Sequence, residues 1–271
     1  MSDDRILTLD ALNRHRPFGF FCDIDGTLAP LVATPGAAVV SPRARALLAK
    51  VASLADFTAV VTGRDLTDAR RMVGLDGVAY VGNHGLEWWL DGRQVDAPYV
   101  ARFRRLMAGV AERLAPALDQ PGILVERKGP VLAVHYRLAD DPEAARTRIL
   151  KALASLDLPE GVQLREAIKV VELFPAVEVN KGTAVRALAE RQGLRSAVFA
   201  GDDWTDLDAF RAIRALREEG RLAGRTVAVR HGETPPAVVE AADEVVEGVA
   251  GTEGLLERLA AALATPASEG P

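Results

Sequence analysis

Short apolar runs recur along the chain, and most of them are followed directly by glycine, aspartate or threonine. Each run has the length of a buried strand, and segments of helical periodicity lie between most of them. The runs cover residues 18–22, 57–61, 78–81, 197–200 and 226–229. This alternation predicts an α/β fold with a Rossmann-like core, in which a parallel sheet carries helices on both faces.

Residues typical of helix ends mark three helices between or after these apolar runs. Ser41 and Pro42 suit the N-cap and the first position of a helix over 42–52. A second helix is predicted over 183–191, where Gly193 would close it, and a third over 255–263.

The middle of the chain has a different pattern. A helix over 99–117, ending near Pro116, precedes strands over 123–127 and 131–137 that residues 128–130 join as a hairpin. A helix over 141–155 and strands over 163–167 and 169–173 follow. The order α-β-β-α-β-β predicts a small α+β cap domain over 98–174, inserted into a core made of 1–97 and 175–271. We expect hinges near Pro98 and Pro175.

Composition excludes several functional classes. The 271 residues carry a formal net charge of −5, which argues against a nucleic-acid-binding protein. The single cysteine, Cys22, rules out an intramolecular disulfide and a cysteine-based zinc site. No apolar run has membrane-spanning length, and no signal-peptide pattern occurs at the start. We therefore expect a soluble cytoplasmic protein that does not act on membranes.

Two carboxylates two residues apart follow the first apolar run. Asp23 and Asp25 lie in the hexapeptide Asp-Ile-Asp-Gly-Thr-Leu, where strand alternation points both side chains the same way. Open α/β sheets bind ligands at the carboxyl ends of their strands. Like charges this close need a cation or a shared proton, so the pair predicts a reactive or metal-binding site rather than a helix cap.

Three further polar motifs lie beside predicted strands or helices. Thr62-Gly63-Arg64 offers a hydroxyl and free backbone N–H groups to an anion, although Thr-Gly is also ordinary turn chemistry. Lys181 stands at a helix entry, where the helix dipole disfavours it unless it meets an anion such as phosphate. Asp202, Asp203 and Asp206 suit a hard cation that takes oxygen ligands.

In this order, the four motifs resemble those of the haloacid dehalogenase (HAD) superfamily of phosphohydrolases. The resemblance implies that Asp23 attacks phosphorus and that Asp25 is the general acid and base. It implies that Thr62 and Lys181 hold the phosphoryl group. It also implies a Mg²⁺ cofactor bound by Asp23, by the backbone carbonyl of Asp25 and by Asp202, with support from Asp203 and Asp206.

Four further segments are Gly-Asn-His-Gly-Leu-Glu at 82–87, Glu-Arg-Lys at 126–128, His-Tyr-Arg at 135–137 and Lys-Val-Val-Glu-Leu at 169–173. Together with Asn-Lys-Gly at 180–182 and Gly-Asp-Asp-x-Thr-Asp at 201–206, they resemble the trehalose-6-phosphate phosphatases, and the resemblance covers about residues 18–249. This resemblance implies a sugar-phosphate substrate, the last step of trehalose biosynthesis and a functional link to a trehalose-6-phosphate synthase. We also expect a monomer. The residues predicted to bind substrate are Gly63, Arg64, Asn83, His84, Gly85, Glu126, Lys128, His135, Arg137 and Glu172.

Two positions depart from the family pattern, and alternative functions stay open. Phe174 stands where a basic residue is expected, and Leu207 stands where an acid is usual.

The same phosphatase chemistry could act on another substrate, such as sucrose phosphate or a mannosyl-glycerate phosphate. A catalytically silent sugar-phosphate-binding subunit is a third interpretation, which the presence of every core motif disfavours. Trp88 and Trp89 could stack on a sugar or pack an interface.

Only five of the 33 basic residues are lysines. Lys50 and Lys151 fall on predicted helix surfaces, whereas Lys128, Lys169 and Lys181 fall inside the motifs. Alternation places Lys169 on the opposite face of its strand from Glu172, so we do not expect both side chains to reach one ligand.

Overall fold

Twelve strands and nine α-helices occur in the computed structural model, which describes residues 7–32, 35–96, 99–167 and 169–265. The strands are β1 (Phe18–Cys22), β2 (Phe57–Val61), β3 (Ala79–Gly82), β4 (Glu87–Leu90), β5 (Arg93–Gln94), β6 (Leu124–Lys128), β7 (Val131–His135), β8 (Val162–Ala167), β9 (Val170–Pro175), β10 (Ser196–Gly201), β11 (Ala223–Arg230) and β12 (Glu244–Glu247). The helices are α1 (Leu9–Asn13), α2 (Pro42–Leu54), α3 (Leu66–Val73), α4 (Val100–Leu118), α5 (Pro142–Ala154), α6 (Lys181–Arg191), α7 (Asp206–Glu218), α8 (Pro236–Ala241) and α9 (Gly248–Ala264).

The chain divides into two compact units, one made of Met1–Val95 with Val179–Pro271 and the other of Asp96–Glu178. Residues 97 and 98, which include the expected hinge at Pro98, lie outside the described residues. Pro175 ends β9, and its carbonyl accepts a hydrogen bond from the Gln163 side chain at 3.3 Å. None of the described helices is both long and apolar enough to cross a bilayer.

The first unit is built on an eight-stranded sheet in the order β12-β11-β10-β1-β2-β3-β4-β5. Strands β12 to β3 in that order are parallel, while β4 and β5 extend the edge as an antiparallel hairpin. Side chains of β1 alternate between the two faces, so Phe20 packs with α2 and α9 and Phe21 packs with α6 and α7. The predicted α/β core with helices on both faces is confirmed.

The sequence prediction omitted the outer strands of this sheet. Strands β4, β5 and β12 have only two to four residues each, and charged residues interrupt or bound them. Trp88 and Trp89 lie on β4 and pack against opposite faces of the core sheet. Because their rings lie on opposite faces, the pair does not form one stacking platform.

The second unit is a four-stranded antiparallel sheet in the order β6-β7-β9-β8, and α4 and α5 cover one face. The predicted α-β-β-α-β-β order is confirmed. The expectation that Lys169 lies within the last strand is wrong, because β9 begins at Val170. Lys169 has a φ of 61°, which belongs to a tight turn rather than to a strand. Helix α4 continues past Pro116 to Leu118.

Candidate active site

Three polar motifs of the first unit meet because their strands are neighbours. Asp23 follows β1, Thr62 follows β2 and Asp202 follows β10, and β1 pairs in parallel with both of the other strands. Chain direction therefore brings all three residues to one edge of the sheet. From β1 the chain continues to β2 on one side, whereas from β10 it continues to β11 on the other side. The strand order therefore reverses between β1 and β10, and open α/β sheets bind ligands at such a topological switch point.

Lys181 forms the electrostatic centre of this edge. It occupies the first turn of α6, where the Asn180 side chain caps the helix, and it is 1% exposed. Its Nζ lies 2.9 Å from Asp23 Oδ2 and 2.7 Å from Asp206 Oδ1. Burial alone would lower the pKa of Lys181, but the charges of Asp206 and Asp23 raise it well above its ordinary value. The ammonium group therefore stays charged.

Asp23 keeps one carboxylate oxygen available. Oδ2 accepts from Lys181, whereas the buried Oδ1 has no hydrogen-bond partner among the described residues. Burial raises the pKa of Asp23 to about 7, with Lys181 opposing the shift and the Asp202 carboxylate adding to it. An ionised Asp23 therefore needs a further positive charge next to Oδ1.

Asp202 is held from two sides. Thr27 Oγ1 donates to its Oδ1 at 2.9 Å, and His231 Nε2 lies 3.0 Å from its Oδ2. Gly26 lies directly beneath this carboxylate with a φ of 79°, and a Cβ at that position would collide with Asp202. Glycine is therefore required there by both conformation and space.

Asp206 organises the loop after β10. Its Oδ2 accepts from the backbone N–H groups of Asp202 at 2.9 Å and Asp203 at 3.1 Å, while its Oδ1 accepts from Lys181. The side chain of Asp203 accepts from Thr205 instead, and its pKa falls to about 2: burial opposes this shift, and Lys181 and Thr205 outweigh it.

This edge fits a hard divalent cation. Carboxylate oxygens of Asp23, Asp202 and Asp206 all lie within 4.8 Å of one another. Asp206 Oδ2 accepts from two backbone N–H groups and its Oδ1 accepts from the Lys181 ammonium, whereas each Asp202 oxygen accepts a single side-chain hydrogen bond. Asp23 Oδ1 and the Asp202 carboxylate are therefore the better ligands, and Asp206 supports them. The donors are all oxygen, which is the ligand type of Mg²⁺ and Ca²⁺.

Asp25 is paired with Arg64. Arg64 Nε lies 2.6 Å from Asp25 Oδ2 and Nη2 lies 2.7 Å from Oδ1, and the same guanidinium also bonds Asp68. Although burial would raise the pKa of Asp68, its hydrogen bonds from Arg71 and Arg64 lower it. The Arg64 side chain, which the sequence predicted to bind substrate, is buried and contacts Asp25.

The segment after β3 lies beside Thr62. His84 N–H donates to the Thr62 carbonyl at 3.0 Å, and a Cβ on Gly63 would collide with the His84 ring. Asn83 and His84 have positive φ values of 48° and 57°, and Gly85 follows with 121°. Such strained backbone persists only where its surroundings fix it.

The surroundings that fix this segment are buried. The Asn83 side chain donates to Glu87 Oε2 at 2.6 Å, and both residues are buried. Gly85 packs so closely on Val179 and Asn180 that a Cβ would clash. Among the three residues predicted here, His84 is therefore the one that stays partly exposed.

In the second unit, the face of the sheet away from the helices carries polar side chains. Glu126, Ala133, Glu172 and Arg165 form one row across four strands. His135 Nε2 lies 2.7 Å from Glu126 Oε2, and Lys128 Nζ lies 3.2 Å from Glu172 Oε1. The predicted residues Glu126, Lys128, His135 and Glu172 therefore share one face. Arg137 lies two residues beyond β7, in an exposed turn.

Phe174 lies on the same polar face, and a cation covers it. The Arg165 guanidinium carbon lies 4.6 Å from the centre of the Phe174 ring. A positive charge therefore reaches this part of the face from the neighbouring strand β8, although Phe174 itself is apolar.

Sequence reasoning missed His231, Thr27, Glu87 and Arg165. His231 carried a usable signal, because it follows a predicted strand just as Asp23 and Asp202 do. Thr27 belongs to the hexapeptide Asp-Ile-Asp-Gly-Thr-Leu and Glu87 to the segment Gly-Asn-His-Gly-Leu-Glu at 82–87, but their partners become visible only in three dimensions.

The chain matches the family model for trehalose-phosphatase over residues 21–238. A trehalose-phosphate phosphatase of Mycobacterium avium is 34% identical over 263 residues, which cover 92% of this chain and 64% of that protein. A Mycobacterium bovis trehalose-phosphate phosphatase is 36% identical over 217 residues, or 75% of this chain and 53% of that protein. The chain thus spans less than two thirds of these relatives' length.

Solved structures are similar as well. The crystal structure of a trehalose-6-phosphate phosphatase related protein has a TM-score of 0.72 at 26% identity, covering 90% of this chain and 97% of that one. The C-terminal domain of the trehalose-6-phosphate phosphatase of C. albicans has a TM-score of 0.71 at 22% identity, covering 95% and 97%. The second likeness concerns the fold alone.

Proposed function

The chain belongs to the trehalose-phosphatase family, and from that premise we propose that it is a Mg²⁺-dependent phosphatase that hydrolyses trehalose 6-phosphate to trehalose and phosphate. The observation that carries the proposal is the placement of Asp23: its Oδ1 is buried and unpaired among the described residues while Lys181 holds its Oδ2. A buried carboxylate arranged in this way suits a nucleophile beside an anion and a cation.

In the proposed first step, a carboxylate oxygen of Asp23 attacks phosphorus, and the bond between phosphorus and the sugar oxygen breaks. Asp25 gives a proton to the departing sugar oxygen. In the second step, Asp25 takes a proton from water as the water oxygen attacks the phosphorus of the aspartyl phosphate. Phosphate leaves, and the Asp23 carboxylate is restored.

Repulsion between a carboxylate and an anionic phosphate opposes the first step. Lys181 supplies one compensating charge, and Thr62 with the N–H groups after it supplies donors for phosphoryl oxygens. Asp23, Asp202 and the Asp25 backbone carbonyl would hold Mg²⁺. When bound, Mg²⁺ neutralises charge on the transferring phosphoryl group.

Arg64 keeps Asp25 in place between the two proton transfers. The two hydrogen bonds of the guanidinium fix the orientation of the Asp25 carboxylate, so its oxygens stay directed for the proton that it takes from water. For the first transfer, protonated Asp25 has to give up at least one of these two bonds.

The polar face of the second unit supports sugar recognition. A disaccharide offers hydroxyls and no apolar handle, so its site needs charged groups that accept and donate hydrogen bonds. Glu126, Lys128, His135 and Glu172 supply both kinds on one rigid sheet. We propose that this face binds the trehalose part of the substrate.

The test is phosphate release by purified protein from a panel of sugar phosphates that includes trehalose 6-phosphate, sucrose phosphate and a mannosyl-glycerate phosphate. Trehalose 6-phosphate should have the highest kcat/KM, EDTA should stop turnover, and D23N should be inactive with its fold retained. A tenfold preference for another sugar would contradict the substrate, and an active D23N would contradict the nucleophile.

A further inference from the structure

His231 lies at the same edge of the sheet as the proposed metal ligands. It follows the last residue of β11, and β11 pairs in parallel with β10, whose end carries Asp202. The imidazole Nε2 is 3.0 Å from Asp202 Oδ2. The proposed reaction steps make no use of this residue.

Local hydrogen bonds fix which ring nitrogen carries the proton. The backbone N–H of Glu233 donates to His231 Nδ1 at 3.2 Å, so Nδ1 is an acceptor and the hydrogen resides on Nε2. His231 therefore donates to Asp202. The turn that holds the ring is closed by Thr234, whose Oγ1 accepts from His231 N at 3.0 Å and donates to the Val229 carbonyl.

Asp202 thus has a separate donor on each oxygen, because Thr27 Oγ1 binds Oδ1 while His231 binds Oδ2. Two donors from different elements prevent the carboxylate from rotating about its χ2 bond. Each oxygen accepts one hydrogen bond and keeps a lone pair for a cation. Hydrogen bonds to a ligating carboxylate commonly set both its orientation and the affinity of the site.

We propose that His231 is a positioning residue for the metal site, which holds Asp202 in the orientation that binds Mg²⁺. This inference rests on the proposed function, since it assigns Asp202 as a ligand. It predicts that losing the Nε2 donor weakens Mg²⁺ binding without removing any ligand.

The test measures Mg²⁺ affinity by isothermal titration calorimetry at one fixed pH for the wild type and four variants. H231N and H231A lack a donor that reaches Asp202, whereas H231Q places an amide N–H near the position of Nε2. H15N is the matched control, because His15 is exposed on the part of the chain before β1.

We expect H231N and H231A to raise the Mg²⁺ Kd by about 10- to 100-fold. H231Q should stay within about threefold of the wild type, and H15N should not differ from it. In turnover assays, the Mg²⁺ concentration at half-maximal rate should rise for H231N while kcat at saturating Mg²⁺ changes little. Thermal melts of each variant check the fold. If only one of H231N and H231A folds, the Mg²⁺ affinity of that variant decides the test.

Two outcomes would overturn the inference and are distinguishable. If the wild type binds Mg²⁺ and a folded H231N or H231A binds it equally well, His231 does not position Asp202 and the proposed function stands. If the wild type shows no saturable Mg²⁺ binding, the proposed metal-dependent function fails, and this inference fails with it.

Discussion

Arg64 and Asp25 form a two-point ion pair, with Nε 2.6 Å from Oδ2 and Nη2 2.7 Å from Oδ1. The guanidinium is 8% exposed and also bonds Asp68, so its position is set from both sides. This geometry orients the proposed acid and base. Lysine carries the same charge but lacks the planar fork.

Replacing Arg64 by lysine should therefore reduce kcat by about tenfold or more, because Asp25 loses one of its two fixed contacts. The melting temperature should fall by only a few degrees, since the charge is retained. R71K is the matched control, because Arg71 bonds the same Asp68 but is largely exposed. Equal kcat values for R64K and R71K would show that Arg64 does not orient Asp25 for proton transfer.

Lys181→Arg should lose activity by about 100-fold or more even though the charge is kept. The ammonium is fully buried between Asp23 and Asp206, at 2.9 and 2.7 Å, and a larger guanidinium would displace both carboxylates. K50R and K151R change exposed helix residues and should keep wild-type rates. Phosphate release at saturating substrate measures all three, and an active K181R would refute the charge placement.

The sequence predicted the parts of this site that depend on chain direction. Asp23, Thr62 and Asp202 follow apolar strands that become neighbours, so their meeting at one edge follows from parallel pairing. The His231–Asp202 contact was not predictable in the same way, because it depends on the turn that aims the imidazole ring at Asp202.

The hydrophobic pattern of the sequence also did not predict the outer strands of the core sheet. The segment Glu87–Leu90 starts with a buried glutamate and continues with two tryptophans, so it shows neither a continuous apolar run nor clear alternation. Its strand geometry comes from antiparallel pairing with β3. Lys169 illustrates a boundary error, because β9 begins one residue later than predicted and Lys169, which has a positive φ, lies in the turn before it.

Metal-free protein should lose stability as the pH rises from about 4 to about 7. Burial raises the pKa of Asp23 to about 7, against 3.8 for an ordinary aspartate. Between these values the folded chain holds a proton that the unfolded chain has released, so the free energy of unfolding falls with rising pH. The amide introduced by D23N cannot titrate, and this variant should therefore lose less stability over the same range.

Urea unfolding midpoints in EDTA at pH 5 and pH 7.5 measure this difference. Added Mg²⁺ should stabilise the wild type more at the higher pH, because it binds the ionised carboxylate. An equal drop in midpoint for the wild type and D23N would show that Asp23 does not titrate in this range.

Substitutions on the polar face of the second unit should separate sugar binding from chemistry. E172Q removes the charge that pairs with Lys128 at 3.2 Å, and E126Q removes the charge that faces His135 at 2.7 Å. If this face binds the sugar, each should raise KM for trehalose 6-phosphate by about tenfold, the loss expected for one charged hydrogen bond. Hydrolysis of p-nitrophenyl phosphate, which has no sugar, should stay within about threefold of the wild type.

The matched control for this face is E166Q. Glu166 lies on β8, on the other side of the same sheet, where it pairs with Arg146 of α5. Removing its charge disturbs an ion pair of the same unit without touching the polar face. E166Q should therefore leave KM unchanged for both substrates. If E166Q raised KM for trehalose 6-phosphate as much as E172Q, the effect would reflect the stability of the unit, and the polar face would lose its assignment as the sugar site.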